Sequence, residues 1–142
     1  NNEIYGVLDL IKAFGNYKDY ALIVCDSSSE YKKYIIDNNI QLSKNVILIS
    51  QPHSMYEVLK IADGLIRNTS TDGDSIAIKE SLFLNKITIA TDTVGRPCGV
   101  LLFKRNDFVR LRQILESDIP ADISCEISNG VNELINLYSK IQ

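Results

Sequence analysis

The 142-residue sequence has no tryptophan, one histidine, one methionine and three prolines. The histidine, His53, follows Pro52. No cysteine, acid or second histidine stands at ligand spacing from it, so it reads as a surface-loop residue rather than a metal ligand. Basic runs are missing as well, and the net charge is −3, so nothing electrostatic points to nucleic acid. No apolar run approaches the roughly 18 residues that span a bilayer, and no signal peptide is recognisable. The Gly-rich dinucleotide fingerprint and the Gly-Lys-Ser/Thr phosphate loop are both absent, which leaves NAD and ATP-hydrolysis readings without their motifs. Ser27-Ser28-Ser29 lacks a nucleophile-elbow context and reads as a helix cap. The three cysteines, Cys25, Cys98 and Cys125, are far apart and odd in number. They read as reduced thiols of a cytoplasmic protein. Asn68-Thr69-Ser70 fits a glycosylation acceptor, a pattern without meaning in such a compartment.

What remains is an ordinary globular composition, 45% apolar and 23% charged. The length suits one domain, 1–142, and is short for a two-domain enzyme. Short apolar runs recur at Ala21–Cys25, Val46–Ile49, Gly64–Arg67, Ile87–Ala90 and Val100–Phe103. Each reads as a buried strand. Between and around them, Val7–Phe14, Glu30–Asn39, Met55–Ala62, Ile76–Leu84, Phe108–Leu115 and Val131–Ile141 carry helical spacing. Tyr31, Tyr34, Ile35 and Ile36 are the expected inner side of the second of these, and Asn38-Asn39 its end. Ser54 with Glu57 has the pattern of a capping box.

Apolar strands alternating with amphipathic helices predict an α/β fold, a Rossmann-like doubly wound parallel sheet with helices on both faces. Such sheets bind ligands beyond the carboxyl ends of their strands. The loops to inspect are therefore 26–29, 50–54, 68–75 and 91–98. A doubly wound domain opens with a strand, yet Val7–Phe14 is a helix with none before it. A first strand is expected and missing.

The stretch richest in chemistry runs from Arg67 to Glu80, where a strand ends and a helix begins. Free N–H groups and the dipole at a helix start favour an anion such as phosphate. Gly73 would let a ligand approach the backbone closely. Asp72 and Glu80, about two helical turns apart, could accept hydrogen bonds from vicinal sugar hydroxyls. The same residues equally suit a helix cap and a solvated face. Spacing leaves both open.

The run Tyr56–Arg67, followed by Asp72-Gly73, Glu80-Ser81-Leu82 and Asn85–Asp92, resembles the signature of group 1 retaining glycosyltransferases. Asp72–Ser75 and Gly95–Val100 are similar to a subgroup active on capsule and surface polysaccharides. The resemblance implies the C-terminal, nucleotide-sugar-binding half of a GT-B enzyme. It places Asp72 on hydroxyls of the transferred sugar and Glu80 on the donor ribose. The amides of Gly73, Asp74 and Ser75 would face the diphosphate or the sugar, and the backbone near Ser50 the base. It implies no metal and no cofactor beyond the nucleotide-diphosphate sugar. A glycan or lipid-linked acceptor would be held by an N-terminal domain absent from the sequence, with at most peripheral membrane contact. Departures from the pattern are Asp72 where the family has Glu, polar Asp74 at a position often apolar, and Cys98 where an acid is common. For Arg67 and Arg96 two readings stand: contact with the diphosphate, or a local charge in the loop.

Two other classes compete. A non-catalytic module of the same fold would keep nucleotide binding or neither function. A phospho-accepting signalling domain would need an aspartate ending a central strand, and Val46–Ile49 runs into Ser50 instead.

Overall fold

The computed structural model describes residues 2–117. Its elements are α1 (Asn2–Tyr5), α2 (Val7–Phe14), β1 (Leu22–Cys25), α3 (Glu30–Asp37), β2 (Val46–Ile49), α4 (Met55–Ile61), β3 (Gly64–Arg67), α5 (Ile76–Phe83), β4 (Ile87–Thr91), β5 (Val100–Phe103) and α6 (Phe108–Glu116). The strands fall where the apolar runs place them. The predicted helix 131–141 and Cys125 lie outside the described residues.

All strand pairing is parallel. The described strands form two sheets rather than one: β1 with β2, and β3-β4-β5 with β4 at the centre. Helices cover both faces. On one, Ile89 and Phe103 join Leu10, Ile11 and Phe14 of α2 and Leu111 and Ile114 of α6. Val24 and Val46 of the smaller sheet belong to the same cluster, so α2 bridges the two sheets. On the other face, Ala90 meets Ile78 and Leu82 of α5. Side chains of successive strand residues point to opposite faces, and β4 uses both. Its Thr88 hydroxyl donates to the Ser81 hydroxyl of α5 at 2.8 Å, satisfying two buried polar groups.

Helix ends follow local chemistry in part. Asn39 and Asn85 adopt left-handed φ of 49° and 53° just past α3 and α5. Ile40 N–H then reaches Ile35 C=O, and Lys86 N–H reaches Ser81 C=O, closing both helices, α3 at its expected asparagine stop and α5 at one its sequence context had not singled out. The capping box does not form. The Ser54 side chain makes no cap bond, and Glu57 pairs with Lys60 at 2.7 Å instead. A cation one turn along the helix attracts the carboxylate more than a neutral amide does. Likewise, α3 buries Ile35 and half-buries Tyr31, while Tyr34 and Ile36 are exposed. At 100° per residue, Ile35 and Tyr31 one turn before it share the inner face, while Tyr34 and Ile36, each one position from Ile35, turn away from it.

The expectation of three reduced thiols is corrected at one position. Cys25 is a free thiol, but Cys98 is disulfide-bonded. Separation along a chain says nothing about separation in space, which is what decides whether a disulfide can close.

Candidate functional site

Because pairing is parallel within each sheet, the loops after β1 and β2 emerge on one edge of the smaller sheet, and those after β3 and β4 on one edge of the larger. They are tied in two groups. Ser29 Oγ donates to the Ser50 carbonyl at 2.9 Å, joining the loops after β1 and β2. His53 Nδ1 lies 2.6 Å from the Gln51 carbonyl and 3.5 Å from Ser27 Oγ. His53 is thus a loop residue bonded locally, as its sequence context suggests.

The second group is built on Asp72. Arg67 Nη2 donates to both of its carboxylate oxygens at 3.1 Å, and Arg96 Nη1 reaches Oδ2 at 3.0 Å. Arg96 is no ordinary loop charge, since its side chain is only 3% exposed. Its Nη2 donates to Thr69 Oγ1 at 3.2 Å and its Nε to the Thr91 carbonyl at 3.1 Å. Thr91 Oγ1 in turn donates to the Thr69 carbonyl at 2.7 Å. The ends of β3 and β4 are thereby locked together. Two guanidiniums meet one carboxylate, so the cluster keeps one net positive charge beside the start of α5. Arg67 also lies over the Tyr5 ring at 5.7 Å, an arrangement that a planar guanidinium favours.

The chain before α2 buttresses this edge. Asn68, 1% exposed, donates to the Gly6 carbonyl at 3.1 Å and to Asn106 Oδ1 at 2.8 Å, and accepts from Asn106 N–H. That carboxamide is fully engaged and buried, so Asn68 offers nothing to a glycosylating enzyme. Gly6 has φ of 56°, and a Cβ there would lie 2.4 Å from Asn68 Nδ2. Only glycine fits the contact without strain.

The remaining expected residues are distributed as follows. Gly73 and Asp74 are exposed in the same loop as Asp72, and Asp74 pairs with Lys79. Ser75 occupies the N-cap of α5 without a side-chain cap bond. Nothing lies within 4 Å of where a Gly73 Cβ would be, so its backbone faces open space. Glu80 is half-buried on α5. Among the described residues no hydrogen bond or ion pair is made by its side chain, and none links it to Asp72. Ser50 belongs to the first loop group and makes no contact with the Asp72 cluster. Arg96 is the residue that sequence reasoning undervalued. Its position between Gly95 and Pro97 carries no local signature of burial.

A cavity of about 970 Å³ separates the two groups, with β1 on one side and β3 on the other. At its upper end stand Asp26 and Tyr31. Asp26, 2% exposed, accepts from Lys32 N–H at 2.9 Å through Oδ2, while its Oδ1 has no partner. Tyr31 Oη is buried and unpartnered too. Burial pushes the Tyr31 phenol above its ordinary pKa, and the negative charges of Glu30 and Asp26 add to that rise. Burial likewise raises the Cys25 thiol, which lines the same cavity.

Among solved structures, a glycosyltransferase from Rickettsia africae ESF-5 superposes with a TM-score of 0.60 at 19% identity, over 79% of this chain. The fold is one that glycosyltransferases use. A second match, TarM, gives a TM-score of 0.58 at 14% identity over 78% of the chain. The chain spans 33% and 24% of those two proteins, so it corresponds to a part of each. No protein-family model and no curated protein matches the sequence. Among the described residues no group of three His, Cys, Asp or Glu side chains could hold a metal, and no helix is long and apolar enough to cross a membrane.

Proposed function

We propose that the chain is the donor-binding half of a retaining glycosyltransferase, acting on a nucleotide-diphosphate sugar for transfer to a glycan or lipid-linked acceptor, in surface polysaccharide synthesis. The observation that carries this reading is the Arg67–Asp72–Arg96 cluster at the strand-to-helix edge, in the segment that bears the family resemblance. Its net positive charge and the start of α5 suit a diphosphate. Cations preorganised there would stabilise the charge that builds on a departing nucleotide diphosphate, without metal. Glu80, uncommitted among the described residues, is the candidate for the ribose hydroxyls. Asp72 would turn to the sugar hydroxyls once phosphate oxygens take over the guanidiniums. The amides of Gly73, Asp74 and Ser75 and the backbone at Ser50 complete the proposed donor contacts. The acceptor would sit on a second domain.

Calorimetric titration with UDP, GDP and ADP, and with their sugar conjugates, tests the reading. One diphosphate should bind, and Glu80→Ala should weaken it at least tenfold. Absence of binding by all three in a protein that includes the second domain would overturn the assignment.

The geometry at Asp72 favours a second reading, a non-catalytic module of this fold. A carboxylate offers about four lone-pair sites, and Arg67 and Arg96 already claim most of them. If Asp72 is only structural, Asp72→Asn will lower stability and leave the preference for nucleotide-sugar over free nucleotide unchanged. A donor-binding Asp72 predicts loss of that preference.

A further inference from the structure

We infer that Tyr5 is a positioning residue: its ring holds the plane of the Arg67 guanidinium and readies that cation for an anionic ligand. The ligand, a diphosphate, is supplied by the donor-binding reading, on which this purpose rests.

The two arginines of the Asp72 cluster are held in different ways. Arg96 sets three nitrogens on three acceptors: Nε on the Thr91 carbonyl, Nη1 on Asp72 Oδ2 and Nη2 on Thr69 Oγ1. Three directions within one plane fix that plane. Arg67 uses a single nitrogen. Its Nη2 donates to both Asp72 oxygens at 3.1 Å, and these are its hydrogen bonds among the described residues. Two parallel N–H···O bonds from two nitrogens would lock a guanidinium as a fork. One shared nitrogen is instead a pivot about which the plane turns. Nε does not oppose the turning, since it is buried without a partner among the described residues.

What meets the plane is the Tyr5 ring. Its centroid lies 5.7 Å from the Arg67 guanidinium carbon, inside the roughly 6 Å over which a ring face attracts a cation. Core packing does not account for the ring's place. Tyr5 is 45% exposed and belongs to neither hydrophobic cluster of the described residues.

The backbone on both sides of Tyr5 is fastened to the residues that follow Arg67. Ser70 N–H donates to the Ile4 carbonyl at 2.8 Å, and Ser70 Oγ to the Glu3 carbonyl at 2.9 Å. Asn68 Nδ2 donates to the Gly6 carbonyl at 3.1 Å. Gly6 N–H closes the turn around Tyr5 by donating to the Asn2 carbonyl at 2.8 Å. Arg105, from the loop after β5, adds bonds to the Asn2 and Glu3 carbonyls. Residues 3–6 are thus laid along 67–70, with Tyr5 between two ties. A ring so braced is set against one guanidinium rather than free to sweep the surface.

Arg67 ends β3, in the cluster where the donor-binding reading puts the diphosphate. A cation ordered beforehand loses less freedom when its ligand arrives, which raises affinity. The ring also covers one guanidinium face and leaves the edge to oxygens, the geometry in which a planar fork meets phosphate.

Tyr5→Phe keeps the ring and Tyr5→Leu removes it, and both are compared with the wild-type 142-residue chain. The first readout needs no ligand. Nitrogen relaxation of the Arg67 Nε–H, assigned by its loss in Arg67→Met, reports how firmly the plane is held. Its order parameter should lie near that of rigid backbone, about 0.85, in the wild type and in Tyr5→Phe, and fall below about 0.6 in Tyr5→Leu. The second readout is calorimetric titration with inorganic pyrophosphate, which carries the diphosphate without a base. Tyr5→Leu should weaken binding about two- to fivefold, the ratio that a partly exposed cation–π contact corresponds to. Tyr5→Phe should leave binding unchanged, and Tyr5→Leu should add nothing in an Arg67→Met background. An order parameter that Tyr5→Leu leaves unchanged, or that Tyr5→Phe lowers as far, would overturn the positioning role. So would weakening by Tyr5→Leu that persists without Arg67, because the ring would then act on another group. An order parameter that responds as expected, in a wild type that binds no pyrophosphate, would keep Tyr5 as the holder of Arg67 and overturn the donor-binding reading instead.

Discussion

Arg96 tests how far the edge of this fold depends on one buried cation. Replacing it with Met keeps most of the stem volume and removes the guanidinium. Three contacts go with it, to Asp72 at 3.0 Å, Thr69 at 3.2 Å and the Thr91 carbonyl at 3.1 Å. Orphaning a buried charge outright costs about 3–5 kcal/mol. Asp72 keeps Arg67, so the loss should be smaller, and hydrogen bonds to charged groups are worth about 1.5–3 kcal/mol. The expected cost is about 2–3 kcal/mol. Urea unfolding followed by far-UV circular dichroism should show a midpoint lowered by roughly 1–2 M at unchanged slope. Combining Arg96→Met with Asp72→Asn should reveal a coupling of at least about 1 kcal/mol. Arg96→Lys should recover little, because one ammonium cannot reproduce a planar fork aimed at three acceptors. A midpoint shift below about 0.3 M, or a coupling below about 0.5 kcal/mol, would refute the reasoning. The cluster would then be solvated in solution and unfit to hold a diphosphate.

Three further outcomes follow from the packing. Ile78, 1% exposed between α5 and β4, should cost about 2–4 kcal/mol as Ile78→Ala, read as a lower thermal midpoint. Asn45 Nδ2 donates to the Phe14, Tyr17 and Tyr20 carbonyls at 2.7, 3.0 and 2.9 Å. Asn45→Ala should cost about 2 kcal/mol by denaturant titration, and Asn45→Asp more, since a carboxylate would face three carbonyl oxygens. Cys25 is raised by burial, so its neutral thiol is the form the fold prefers. Its contribution is complete below the ordinary thiol pKa of about 8.5 and falls as pH rises toward the raised value. Iodoacetamide at neutral pH should label it slowly, and Cys25→Ala should flatten the alkaline loss of stability.

Local features were legible because local forces make them. Four-residue apolar runs became strands, and an asparagine that tolerates left-handed φ closed α3. Parallel pairing followed from the alternation of strands with helices, and with it the common edge where Asp72, Gly73, Asp74 and Ser75 gather. The capping box and the inner face of α3 misled, because each had competing partners at the same spacing.

Contacts between loops distant in sequence were decided only by the tertiary structure. Arg96 approaches Asp72 across 24 residues, and Asn68 meets Gly6 across 62. No periodicity encodes such meetings. They depend on which strand lies beside which, a choice made by loop closure and core packing over the whole domain. The same choice divides the strands into two sheets and leaves a cavity between them, with Asp26, Tyr31 and Arg67 turning unpartnered atoms toward it. The sequence therefore determined the elements and their order. The third dimension alone decided which charges are buried together and which loops meet, because burial belongs to neighbours in space.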